Sequence, residues 1–103
     1  MDDAVRWQVN PVRELFDAAL QHYAIRATCR RCPNIGVFHA AGLWYRFERK
    51  GWNDRLREVP RRLRCAQCGN RGPKLELVTH EAITVPLPLP DDREWKRATS
   101  RRR

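Results

Sequence analysis

Val12, Leu15, Phe16, Ala19 and Leu20 recur three and four residues apart and predict one amphipathic helix within NPVRELFDAALQHY. Asn10 is placed to cap it and Pro11 to occupy its first position, with Glu14 and Asp17 near the positive end of its dipole. The period then shortens. In YAIRATC, Tyr23, Ile25 and Ala27 alternate with polar neighbours and predict a strand, and IGVFHA predicts its returning partner. Helical spacing resumes in AAGLWYRFERKG, where Leu43, Trp44 and Phe47 form the buried face and Gly51 follows Arg49 and Lys50 as a stop signal. WNDRLREVP suits either one helical turn or a loop ended by Pro60. RRLRC predicts another strand, and PKLELVTHEAITV an extended return with Leu75, Leu77 and Thr79 on one face.

The pattern ends in PLPLPDDREWKRATSRRR. Prolines 86, 88 and 90 favour an extended, polyproline-like run, and the charged stretch after it is expected to be mobile. Three segments follow: an N-terminal helical segment at 1–21, a central domain at 22–85 and a flexible Pro-rich and basic tail at 86–103. The fold class expected is α+β. A chain of 103 residues buries a modest core, so a covalent or metal staple is expected to help it fold.

All four cysteines fall in two CxxC pairs, CRRCPNIG at 29–36 and CAQCGNRG at 65–72. The N-terminal stretch MDDAVRWQVN begins acidic and has no apolar run, and no stretch approaches the ~20 apolar residues of a membrane span. A cytoplasmic location is therefore expected, where thiols stay reduced and paired cysteines point to metal. Two residues between cysteines let one tight turn aim both sulfurs at a single ion, so Cys29, Cys32, Cys65 and Cys68 are the predicted ligands of Zn²⁺. Gly69 suits the positive φ such a turn needs. Pro33 holds the matching position in the first turn, and its missing N–H predicts one donor fewer to sulfur. Gly36 is assigned to a chain reversal.

Cys29, Cys32, Cys65, Cys68 and Gly69 together resemble the zinc-ribbon class over roughly residues 23–80. That resemblance implies a small zinc-stapled domain with each cysteine pair at the tip of a β-hairpin. Thirty-two residues intervene between the pairs, more than the 15–20 of the compact pattern, and the surplus matches a helical insertion at AAGLWYRFERKG. The segment is also similar to small uncharacterised bacterial proteins with an LRCxxCGxRG ending. Other uses of the cysteines are a rubredoxin-like iron site or a redox-active CxxC, although both pairs lie between strand-like segments rather than at a helix start. Four thiolates close the coordination shell, which argues against catalytic zinc. His22, His39 and His80 are read as surface or packing residues.

The formal charge is +9, and it is uneven. Residues 22–80 hold 13 Lys/Arg against four acids, whereas residues 1–21 hold two against four. A Zn²⁺ with four thiolates carries −2, which leaves the loaded chain near +7. Such a field favours nucleic acid among acidic partners. Arg30, Arg31, Arg61, Arg62, Arg64, Arg71 and Lys74 are the candidate phosphate contacts, in the knuckles themselves and in RLREVPRRLR. On a strand over 61–64, Arg62 and Arg64 share a face. Arg30, Arg31 and Arg64 also suit the neutralisation of a −2 centre. Trp44, Phe47 and Trp52 are read as core, Tyr45 as an exposed stacking ring, and Trp7 and Trp95 as covers of the domain or anchors for a partner.

No nucleophile–base grouping, Gly-rich phosphate loop or paired carboxylates stand out, so a non-enzymatic protein is expected. The leading reading is a zinc-binding module that grips nucleic acid. The alternative is a zinc-stapled adaptor that docks on a larger protein complex through the N-terminal helix, Trp7, Trp95 and PLPLP.

Overall fold

In residues 12–101, which the computed structural model describes, three antiparallel strands and three α-helices share one core. The helices are α1 (Leu15–Leu20), α2 (Ala40–Lys50) and α3 (Asp92–Arg101); the strands are β1 (Ala24–Thr28), β2 (Ile35–His39) and β3 (Lys74–Val78). A 3-10 turn covers Val59–Arg62. The sheet order is β2-β1-β3. The α+β class, the β1–β2 hairpin and the helix between the cysteine pairs are as expected.

The sheet's register explains both faces. Ile25 lies opposite Phe38 and Leu77, and Ala27 opposite Gly36 and Leu75, so apolar residues share the face that carries fully buried Ile25. On the other face Arg26 pairs across the ladder with Glu76 at 3.0 Å and reaches Glu81 at 2.6 Å. Gly36 is a strand residue rather than a turn. A Cβ there would come within 3.1 Å of Val85 Cγ2, so its role is to admit the returning chain. That chain covers the outer edge of β2: the amides of Thr84 and Val85 both donate to the Val37 carbonyl, and Val37 N–H donates to Thr84 Oγ1. A free edge is thereby closed without a fourth strand.

α1 packs on α2, and Leu15, Phe16, Ala18 and Ala19 meet Leu43, Trp44 and Phe47 in the core. α2 ends at Gly51 in the left-handed conformation at φ 71°, as its sequence predicts. α1 differs from expectation. It begins at Leu15 rather than near Pro11, and Asn10 and Pro11 lie outside the described residues. Its first amides are taken by carboxylates and by a distant loop. Asp17 accepts from the Arg13 and Glu14 N–H groups, the Asp54 carboxylate accepts from Phe16 N–H, and the Asp54 carbonyl accepts from Leu15 N–H. The helix cannot extend backwards because Arg13 and Glu14 are tied laterally to the 55–56 segment, through a Glu14–Arg55 bridge and the Leu56 N–H to Arg13 carbonyl bond.

Two further expectations are corrected. RRLRC is not a strand; Pro60 sits at the start of the 3-10 turn over Val59–Arg62, and a single bridge between Arg64 and Arg71 stands where a ladder was expected. The tail after Pro90 is an ordered helix, because Ala98 is fully buried and Trp95 packs on Phe16 and Trp44 with ring centroids 5.4 Å from each. Asp91 and Glu94 cap it by exchanging side-chain-to-amide hydrogen bonds. Tyr45, expected as an open stacking ring, is half-buried and donates to Glu94 Oε2 at 2.8 Å, and that hydrogen bond raises its phenol above the ordinary range. Trp44, Phe47 and Trp52 are core or packed against it, as expected, and Trp7 lies outside the described residues. No helix among the described residues is long and apolar enough to cross a membrane.

Candidate metal centre

The β1–β2 connection carries Cys29 and Cys32, and the loop closed by Arg64 and Arg71 carries Cys65 and Cys68. The two loops meet. All four sulfurs lie within 4.8 Å of one another, with Cys29 to Cys68 at 3.6 Å and Cys32 to Cys65 at 3.5 Å. All four cysteines are free thiols, and the two separations are well beyond the about 2.05 Å of a disulfide. Four ligands at about 2.3 Å from a tetrahedral ion stand about 3.8 Å apart, so the sulfur cluster has the size and chemistry of a four-thiolate metal site. No family model, curated protein or solved structure matches the chain.

The two turns repeat one hydrogen-bond scheme. Cys29 N–H donates to the Asn34 carbonyl at 3.0 Å, and Cys65 N–H donates to the Asn70 carbonyl at 2.9 Å. The Arg31 and Cys32 amides point at Cys29 Sγ at 3.3 and 3.4 Å, and the Gln67 and Cys68 amides point at Cys65 Sγ at 3.4 and 3.5 Å. Amides aimed at sulfur stabilise the thiolate that binds metal. Gly69, at φ 76°, turns its N–H to the Cys65 carbonyl instead of to sulfur. Pro33 has no N–H to make the equivalent bond. The proline therefore removes a bond inside the turn rather than a donor to sulfur, which corrects the expectation.

The sequence signal for Asn34 is a repeat: an asparagine stands at the same offset after each pair, in CRRCPN and CAQCGN. Besides closing its own turn, its side-chain amide reaches across to Cys65 Sγ at 3.4 Å. It thus ties one knuckle to a ligand of the other. Asn34→Ala keeps the backbone bond and loses the cross-link, so metal affinity should fall about tenfold or more. A competitive chelator titration measures this, and unchanged affinity would dismiss the cross-link as incidental.

The thiols respond to this setting. Cys65 is held down to about 6 by the Cys68 amide, against the effect of burial and with help from the Asn34 side chain and the Gln67 amide. Cys29 is lowered by the Cys32 and Arg31 amides. At Cys32 the Asn34 amide pulls downward but is outweighed by Cys65, burial, Cys29 and Cys68, which push the thiol up to about 12. Four thiolates at this spacing repel one another, and a cation at their centre lets all four ionise together.

The structure brings only some of the predicted basic residues to this centre. Arg30, exposed in the first turn, donates through Nε to the Gly72 carbonyl beyond the second, at 2.9 Å. Arg31 is exposed beside it, and Arg64 and Arg71 face each other across the bridge that closes the second knuckle. Lys74 opens β3 opposite Thr28. Arg61 and Arg62 belong to the 3-10 turn. Arg61 pairs with Glu58 at 3.5 Å, and the Arg62 guanidinium lies over the Trp52 ring at 4.8 Å. Arg62 and Arg64 therefore do not share a strand face, because the 3-10 turn replaces the expected strand. His22, His39 and His80 are exposed and outside the cysteine cluster, as expected.

Proposed function

We propose that the chain is a non-enzymatic, zinc-stapled module that binds nucleic acid through the arginines around its two knuckles. The observation that carries the reading is the direct pairing of Arg64 with Arg71 across the mouth of the second knuckle, with Arg31 and Lys74 also exposed. Like charges directly opposite on a ladder are destabilising unless an anion lies near them. A metal–thiolate centre supplies part of that negative charge, and a phosphate backbone supplies more.

The acidic residues of the same region are already committed. Glu76 and Glu81 hold Arg26, Glu58 holds Arg57 and Arg61, and Glu48 holds Arg101. Among the described residues no ion pair engages Arg30, Arg31, Arg64, Arg71 or Lys74, so the knuckle face keeps its positive field. Zinc suits the centre because four cysteine sulfurs form a closed tetrahedral shell typical of structural sites. Iron in the same shell is the competing reading, and metal analysis of the purified protein separates the two.

Binding through phosphate contacts releases counterions and therefore weakens with salt. With about four to six contacts, the log–log slope of affinity against salt is expected at roughly −3 to −5. Charge-removing changes at Arg31 and Arg71 together should reduce it by about 2. Fluorescence anisotropy with labelled DNA and RNA at several salt concentrations measures the slope; no binding at low salt to either polymer ends the reading.

A protein-docking role ranks second. Among the described residues its remaining surface is the PLPLP run, where Leu89 is 53% exposed. The apolar stripe of α1, apart from exposed Leu20, and the ring of Trp95, two other surfaces it relied on, are spent on this chain's own core.

A further inference from the structure

Beside the metal centre lies a groove of about 240 Å³. Its walls are apolar, built from Ala27, Phe38, Leu43, Leu63, Val85 and Leu87, and Cys29 and Cys65 lie along it. Arg46, Arg62 and Arg64 also line it. All three arginines are exposed, and among the described residues none is in an ion pair. Arg46 also borders a second, more polar pocket with Arg49 and Lys50, so the cationic lining continues beyond the groove.

We propose that this groove receives one unpaired base of a single-stranded nucleic acid, with the flanking phosphates on Arg46, Arg62 and Arg64. The inference rests on the nucleic-acid reading above and narrows it to single strands. Three features select this occupant. The walls are apolar and include one aromatic ring, Phe38, which suits a flat π-face. The surrounding cations are all arginines, whose planar forks fit phosphate and also stack on bases. A volume of about 240 Å³ is below the roughly 300–1,000 Å³ of sites for drug-sized ligands and suits a single ring system. A base inside a duplex is stacked and paired and cannot enter, so insertion requires a strand whose bases are free.

The test uses the metal-loaded full chain and anisotropy with labelled 12-mer single strands and the matching duplexes at one salt concentration. Single strands are expected to bind roughly tenfold tighter or more, the worth of one inserted base. Ala66→Leu, at an exposed position of the second knuckle that borders the groove, should lower single-strand affinity about tenfold and leave duplex affinity within about twofold. Independently of any variant, a strand carrying 5-iodouridine should photocrosslink to Phe38 or its groove neighbours, mapped by mass spectrometry on the unaltered protein. Equal affinity for single strand and duplex, with crosslinks only outside the groove, overturns the inference but leaves the basic-surface reading standing. Absence of binding to either polymer at low salt overturns both. Binding of a mononucleotide as tightly as the 12-mer, or preferential binding of an acidic peptide in the groove, also overturns it.

Discussion

Chelation of the metal proposed for the four-cysteine centre is expected to abolish the cooperative thermal transition of this protein at 25 °C and above. The reason is a comparison of magnitudes. Four-ligand structural zinc contributes about 10–16 kcal/mol to the folding of small zinc domains near neutral pH. Whole domains are stable by only about 5–15 kcal/mol. Few groups other than the cysteines organise the two knuckles. The second loop is closed by one isolated bridge and by the Cys65 N–H to Asn70 and Gly69 N–H to Cys65 carbonyl bonds, and the first by the Cys29 N–H to Asn34 carbonyl bond at the end of the β1–β2 ladder. Without a cation, four thiols within 4.8 Å cannot all ionise, and the loops lose their common centre. β1 and β3 enter and leave these loops, so loosening spreads into the sheet. Circular dichroism and proton NMR during chelator addition, followed by restoration with zinc, measure the effect. A dispersed, native-like spectrum in excess chelator would show that the core folds without its staple.

Phe47→Ala should lower the unfolding midpoint of the metal-loaded protein by at least about 12 °C. Phe47 is 0% exposed and the largest fully buried side chain among the described residues, with Trp52 packed edge-on at 5.2 Å. Truncating such a ring costs about 3–5 kcal/mol in transfer and cavity terms, and each kcal/mol moves a domain of this size by about 4–8 °C. Metal stoichiometry should stay at one ion per chain, because the ligands come from other elements. A midpoint shift under about 5 °C would mean that the α2 face repacks around the cavity, and that the core is looser than its burial indicates.

Local chemistry explains what could be read without coordinates. The helical period of α2, with its glycine stop, and the alternation of β1 are properties of adjacent residues and were legible. The ligand set was legible because CxxC spacing is itself a geometric constraint: two residues form the tight turn that aligns two sulfurs. Asn34 was half-legible, since its offset repeats at Asn70, yet its reach to Cys65 exists only when the two knuckles meet. The cap of α1 was only half-legible: the Glu14–Asp17 capping box is local, but the rest is not. Asn10 and Pro11 carry the usual local signals, but Asp54 captures the first helix amides from a position distant in sequence. The tail misled for the same reason. Its composition resembles that of mobile segments, and only Ala98 and Trp95 settling on Phe16 and Trp44 turn it into a helix of the core.

By itself, then, the sequence determined the fold class, the helix between the cysteine pairs, the four thiol ligands and the excess of positive charge, because each follows from spacing or composition over a few residues. Tertiary structure alone decided where α1 begins, that the C-terminal segment completes the core, and which arginines face one another at the second knuckle. It also formed the groove from residues of β1, β2, α2, both knuckles and the returning chain at Val85 and Leu87. These depend on contacts between segments far apart in the chain, whose free energy comes from shared burial that no local pattern records.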